Sequence, residues 1–203
     1  TAADIVNQWS EDELIRIFRE YGEEPRSRRI AQAIVEARSV KPFETTLELA
    51  GCIEKLLGNR GDKKHPATKV FQALRLQVND ELGQLAQGLV AAWSVLKVGG
   101  RLVTISFHSL EARMVKRFGN HWSRDYKPGD AMDTPGLRTP KESVASWSPR
   151  RAVKPTAEET KRNPRSRSAQ LRTIVKLRNL PSGEEMDWQK QPFDLKSAKR
   201  FGS

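Results

Sequence analysis

Apolar residues recur at helical spacing through the first hundred positions and then give way to a β-branched run. Leu14, Ile15, Ile17 and Phe18 follow Ser10-Glu11-Asp12-Glu13. That quartet has the spacing of a capping box, in which the serine and the residue three on satisfy each other's free backbone donors. A helix ending near Tyr21-Gly22 is predicted. Pro25 suits the first turn of the next helix, with Ile30, Ile34 and Ala37 on its buried face and Arg26, Arg28, Arg29 and Arg38 opposite. Thr45-Thr46-Leu47-Glu48 is a second capping box, opening a helix with Leu49, Ile53 and Leu56 inward. Gly58, Gly61 and Asp62-Lys63-Lys64 predict a loop that closes this helical unit at about residue 64.

Phe71, Leu74, Val78, Leu82, Leu85, Leu89, Ala92 and Leu96 then recur at intervals of three and four, which predicts one helix of about seven turns. Gly83 and Gly88 lie off its stripe and weaken it. Gly99-Gly100 ends it. The run 102–107 reads as a short buried strand, and Ser109 as the cap of a helix with Leu110, Met114, Val115 and Phe118 inward, closed by Gly119. Helix, Gly-Gly, strand and helix together predict an α/β unit of a mostly parallel sheet. Residues 120–161 are rich in Pro, Gly, Ser and charge and read as a long basic surface loop ordered on binding, with Trp122 and Trp147 as isolated aromatics. A last strand is predicted at 171–177, with Thr173, Val175 and Leu177 on one side and Arg172 and Lys176 on the other. The extension 181–203 has no periodicity, though Trp188 and Phe193 are candidate anchors.

Charge changes this picture more than composition does. The formal net charge is +11, and all of it lies in residues 101–203, which carry 22 basic and 11 acidic side chains. This asymmetry points to an anionic partner for the second half. No apolar run approaches the roughly 20 residues of a membrane helix, and no secretory signal pattern is seen. The single Cys52 excludes an intrachain disulfide. His65, His108 and His121 have no metal-ligand spacing, so no metal site is expected.

Three ordered segments carry a resemblance. The first is 65–75 (HPATKVFQALR), continuing into Val78-Asn79-Asp80-Glu81-Leu82; the second is 99–118 (GGRLVTISFHSLEARMVKRF); the third is 163–172 (NPRSRSAQLR). Together they resemble the RsmH (MraW) family of small-subunit rRNA cytosine-N4 methyltransferases, which includes organellar members. The N-terminal helices resemble the helical domain that this family inserts into its fold. The resemblance implies the C-terminal part of a Rossmann-like class I α/β methyltransferase: 1–64 the inserted all-helical domain, 65–180 the C-terminal part of the α/β domain, and 181–203 an extension. It implies S-adenosyl-L-methionine as cofactor, held by a glycine-rich loop and an acidic ribose ligand that family members carry upstream of the matching segments. The catalytic loop is likewise expected upstream of Thr1. Ala112 stands where the family usually has an acidic residue, and 120–153 and the tail after Leu180 depart from its pattern. Such additions suit an organellar relative; the alternative is the bacterial cytoplasm.

On this reading the chain contributes the substrate side. Ser106, Phe107 and His108 stand at the carboxyl end of a predicted parallel strand, where α/β sites lie. His108 either contacts the target nucleotide or caps the following helix, and Phe107 either stacks on a base or belongs to the core. Arg75, Asn79 and Glu81 either face the pocket or are solvated helix surface. Asn163, Arg165 and Arg167 lie in the most basic stretch and are candidates for phosphate contact. Two predicted strands cannot build a nucleoside crevice, so the chain alone is not expected to bind the methyl donor. The expected partner is small-subunit rRNA or a precursor particle, with assembly-factor proteins, and neither membrane nor DNA. The competing reading is a methyltransferase-like RNA-binding assembly factor without activity. A DNA-binding helix-turn-helix protein fits the arginine-bearing helices but leaves the Gly-Gly strand unit without a role.

Overall fold

The computed structural model describes residues 1–58, 65–130 and 132–179. The chain divides into two compact units, Thr1–Glu81 and Leu82–Ser203. The loop predicted at 59–64 and the tail with Trp188 and Phe193 lie outside the described residues.

Among the described residues the first unit contains five helices: α1 (Ala2–Gln8), α2 (Glu11–Glu20), α3 (Ser27–Val40), α4 (Thr46–Leu57) and α5 (Thr68–Asn79). Its core joins Leu14, Ile17 and Phe18 of α2, Ile30 and Ile34 of α3, Ile53 of α4, and Val70 and Leu74 of α5. Each such side chain contributes about 1.5–3 kcal/mol by leaving water. Both predicted capping boxes form, Ser10 with Glu13 and Thr45 with Glu48, and Thr1 with Asp4 makes a third. Pro25 does not open α3. The buried Glu24 carboxylate accepts the Arg26 backbone N–H at 2.9 Å and its Nε at 3.0 Å, which holds a turn ahead of the helix. Arg38, expected on the solvated face, instead donates to the carbonyls of Val6 at 2.7 Å and Trp9 at 2.5 Å. It thereby satisfies acceptors that the end of α1 leaves open.

The single helix predicted across 71–96 is two. Asp80 adopts the left-handed region (φ 48, ψ 41), ending α5 before α6 (Glu81–Val95) begins. Aspartate tolerates that conformation better than most residues. A stripe counted by threes and fours passes through the break because one left-handed residue occupies a single position. α5 packs on α1 and α2, so the helical unit reaches Glu81, beyond the break expected at 64.

The second unit holds α6, β1 (Arg101–Ser106), α7 (Ser109–Ser123), β2 (Tyr126–Lys127), β3 (Thr139–Pro140), β4 (Ala145–Trp147), α8 (Ala157–Arg162) and β5 (Gln170–Lys176). The main sheet has the order β1-β5-β4 and is antiparallel throughout, not parallel as expected. The reason is local: the chain enters β5 at Gln170, opposite Ser106, where β1 ends, so it must run back. β1 is an edge strand rather than a buried one. Leu102 pairs with Ile174, and this face meets α7, whereas Val103 and Ile105 point the other way and are 54% and 58% exposed.

α7 is capped by His108 instead of Ser109 and runs on through Gly119 to Ser123. Gly119 is a packing glycine: a Cβ there would meet the Trp147 ring and would lie 2.9 Å from Ile174 Cδ1. The stretch expected as a loop at 120–161 is ordered around this contact. Trp122 belongs to α7 and is buried with Phe118 and Trp93, ring on ring edge. Trp147 lies in β4, donates from Nε1 to Asn120 Oδ1 at 3.1 Å, and carries the Arg172 guanidinium over its ring. β2 and β3 form a small ribbon in which Tyr126 and Arg138 both donate to the Asp133 carboxylate. On β5, Ile174 and Lys176 point inward. Lys176 is buried, and its ammonium donates to the carbonyls of Leu96 at 2.7 Å and Trp93 at 3.3 Å, closing the end of α6. Gly99, with φ 82, makes the turn into β1 that a side chain would strain.

Candidate functional site at one end of the sheet

The register sets the site. Ser106 pairs with Gln170, so the carboxyl end of β1 and the start of β5 share one end of the sheet. Residues 164–168 form a 3-10 turn that leads directly into β5. Phe107 and His108 leave β1 at this end, which is also the end reached by the turn that bears Arg165 and Arg167.

Each candidate side chain has a definite setting. Ser106 is buried, and its hydroxyl donates to the Gln170 carbonyl at 3.4 Å, serving the strand pair. Phe107 is 52% exposed, so it is not a core residue; its backbone N–H donates to Glu111 Oε2 at 2.8 Å. His108 caps α7: its Nδ1 accepts the Glu111 N–H at 3.3 Å, and Glu111 Oε2 accepts the His108 N–H at 3.3 Å. Its Nε2 lies 3.4 Å from Glu111 Oε1. Of the two roles weighed for His108, the cap is present in the geometry. Asn163 is exposed and its carbonyl accepts from the buried Ser166 hydroxyl at 2.8 Å. That bond fixes the turn so that Arg165 and Arg167, on either side of Ser166, point to solvent. Burial pulls the Arg172 guanidinium below its usual range.

Arg75, Asn79 and Glu81 come together in the helical unit. Arg75 Nε and a terminal nitrogen reach the two Glu81 oxygens at 2.8 and 3.1 Å, and Asn79 Nδ2 donates to Glu81 Oε1 at 3.3 Å. The fork spans the Asp80 break and is a fixed pair of opposite charges. The pair is exposed, as the solvated-surface alternative has it, and Arg75 is not a free cation.

A methyl donor carrying a nucleoside needs a strand end beside a glycine turn in a parallel sheet. The antiparallel β1-β5-β4 sheet does not offer one, so the described residues do not fit that group. What they offer is an exposed aromatic ring and outward arginines at one end of the sheet. An exposed ring stacks on a base, and guanidinium groups match phosphate oxygens. Sequence reasoning missed Lys176 and Trp93 as structural residues, and it missed Arg150 and Arg151; adjacent arginines after a proline were the available signal.

By fold and site, this is a mixed α/β protein with a helical unit and a sheet end that bears exposed arginines. The chain belongs to the MraW methylase family, whose model matches residues 1–177. It is 48% identical over 187 residues to proteins named Ribosomal RNA small subunit methyltransferase H from Brucella ovis, Brucella canis and Brucella melitensis. Each match covers 92% of this chain and 53% of the relative, so the chain spans about half the length of the curated relatives it matches. The family match includes 120–153, the stretch read above as departing from the pattern. These relatives are bacterial and lend no support to the organellar setting favoured from the additions.

Proposed function

We propose that this chain is the substrate-side portion of a SAM-dependent methyltransferase of Rossmann-like fold that methylates the N4 amine of a cytidine in small-subunit rRNA. In this proposal the donor is held by the part of the relatives' length that the chain does not match. The helical unit is then the inserted domain and a second RNA-facing element, and the setting is the bacterial cytoplasm. Small-subunit precursor particles are the partner, with assembly proteins beside them.

The observation that carries the reading is the meeting of exposed Phe107 with Arg165 and Arg167 at the carboxyl end of β1, in a chain of a methylase family. The N4 amine of cytosine is a weak nucleophile, because its lone pair is delocalised into the ring. Transfer to it requires the base to be unstacked, held and kept dry. Phe107 supplies a surface for an unstacked base, and the arginines hold the phosphates beside it. Glu111, by fixing both the Phe107 and His108 backbone amides, keeps this end of β1 in place.

The test is methyl transfer by the polypeptide of full relative length that contains this chain. It is supplied with labelled S-adenosyl-L-methionine and undermethylated small-subunit particles, and the rRNA is digested to nucleosides. Label in N4-methylcytidine is expected. Label in another nucleoside, or none in rRNA, overturns the proposal.

A further inference from the structure

β4 does not simply end at Trp147. Ser148 N–H donates to the Thr173 carbonyl at 3.0 Å, and Val153 exchanges both backbone hydrogen bonds with Leu171 at 2.9 Å. A regular antiparallel ladder places one residue between positions facing Thr173 and Leu171; here residues 149–152 occupy that gap. The surplus is looped out of the sheet edge while both ends stay anchored to β5. Looped-out residues of this kind re-aim side chains and are common beside functional sites.

The loop carries Arg150 and Arg151, both exposed, and Lys154 follows its second anchor. The anchor at Leu171 is one residue from Gln170, so the loop stands at the same end of the sheet as Phe107, Arg165 and Arg167. Among the described residues, none of these five cations has an ion pair or side-chain hydrogen bond. By contrast, Lys41 is paired with Glu48 and Arg75 with Glu81. Unpaired guanidinium groups held by an anchored loop repel one another and are stabilised by an anion laid across them.

We infer that the looped-out segment 149–152 is a phosphate clamp, with Arg150 and Arg151 gripping the backbone of the single-stranded RNA that flanks the nucleotide presented at Phe107. The inference rests on the proposed RNA substrate and extends it to residues outside the resemblance segments. The clamp is indifferent to base identity, because phosphate contacts position a strand without reading it.

The test is fluorescence anisotropy of the full chain with a labelled single-stranded RNA oligonucleotide, across a series of salt concentrations. Each phosphate contact on a single strand contributes about 0.7 to the slope of log affinity against log salt. Arg150→Gln with Arg151→Gln is expected to lower that slope by about 1.4 and to weaken binding several-fold at low salt. Arg150→Lys with Arg151→Lys is expected to keep most of the slope. A charge-matched control, Lys97→Gln with Arg101→Gln, removes two exposed cations at the opposite end of β1 and is expected to leave the slope near that of the parent. Unfolding curves of all variants report whether each is folded. The inference is overturned if the control loses as much as the clamp variant, if the clamp variant loses nothing, or if the parent chain does not bind RNA. Methyl transfer is not read in this assay, so loss of activity with binding intact would count against the proposed reaction and leave the clamp standing.

Discussion

Gly119 and Gly88 are both helix-interior glycines, yet alanine at the two positions should shift stability in opposite directions. Alanine in a helix interior is favoured over glycine by about 0.8–1 kcal/mol. At Gly88, on α6, a Cβ meets nothing within 4 Å, so Gly88→Ala should gain most of that preference. At Gly119 the same methyl would fall on the Trp147 ring and at 2.9 Å from Ile174 Cδ1. Neither neighbour is free to move. Trp147 is tied through Nε1 to Asn120 and through its backbone to β5, and Ile174 is fully buried at the centre of the sheet. Forcing a methyl into a packed core costs about 1–3 kcal/mol, and pushing the ring aside also strains the Asn120 hydrogen bond, worth about 1 kcal/mol. Set against the helix gain, Gly119→Ala should destabilise by about 1–3 kcal/mol. Urea unfolding followed by circular dichroism and by tryptophan fluorescence measures both variants. If Gly119→Ala proves as stabilising as Gly88→Ala, the packing of α7 against β4 is wrong, and with it the order assigned to 144–153.

Other consequences follow from single contacts. The Glu48 carboxyl is held at a pKa of about 2 by the backbone amides of Glu44 and Thr45 and by Lys41. Because its folded value is depressed, the stability it contributes is complete above its ordinary value near 4.5 and is lost as pH falls towards about 2; a side-chain NMR titration should show that midpoint. Lys176→Met keeps the apolar stem but leaves the Leu96 carbonyl without its ammonium donor, while the Trp93 carbonyl keeps the Leu96 N–H, and should cost about 1–3 kcal/mol in the same urea assay. A neutral outcome would show that the ammonium does not close α6. Hydrogen exchange of the 101–107 peptide should slow in the polypeptide of full relative length compared with this chain alone, because the outer edge of β1 and the apolar Val103 and Ile105 are open here. Equal exchange in both would mean that no strand joins that edge.

The helical unit was legible because its signals are local. Ser10 with Glu13 and Thr45 with Glu48 mark helix starts by a three-residue spacing, and the core positions of α2 to α4 repeat with the helical period. Misreadings arose where one residue's backbone or a distant neighbour decides. The left-handed turn at Asp80 leaves no trace in a hydrophobic period. Gly119 looks like a helix stop until Trp147, twenty-eight residues on, is known to lie against it. The direction and exposure of β1 depend on β5, some seventy residues away, and Pro, Gly and charge in 120–161 hid a strand whose short length gives almost no alternation. At the site, the strand end and the 163–167 arginines were found from residue type and order. Arg150 and Arg151 were not, since only the broken register between β4 and β5 shows that they are lifted out at the same end of the sheet as Phe107.

The claim on which most depends is that the target nucleotide is presented at the carboxyl end of β1. Phe107→p-benzoylphenylalanine, in the polypeptide of full relative length, places a photoreactive ring at that point. After irradiation with small-subunit particles, the crosslinked rRNA should map to the nucleotide that the same polypeptide methylates, or to its immediate neighbours. Crosslinks confined to protein, or scattered over rRNA far from the methylated position, would contradict the account.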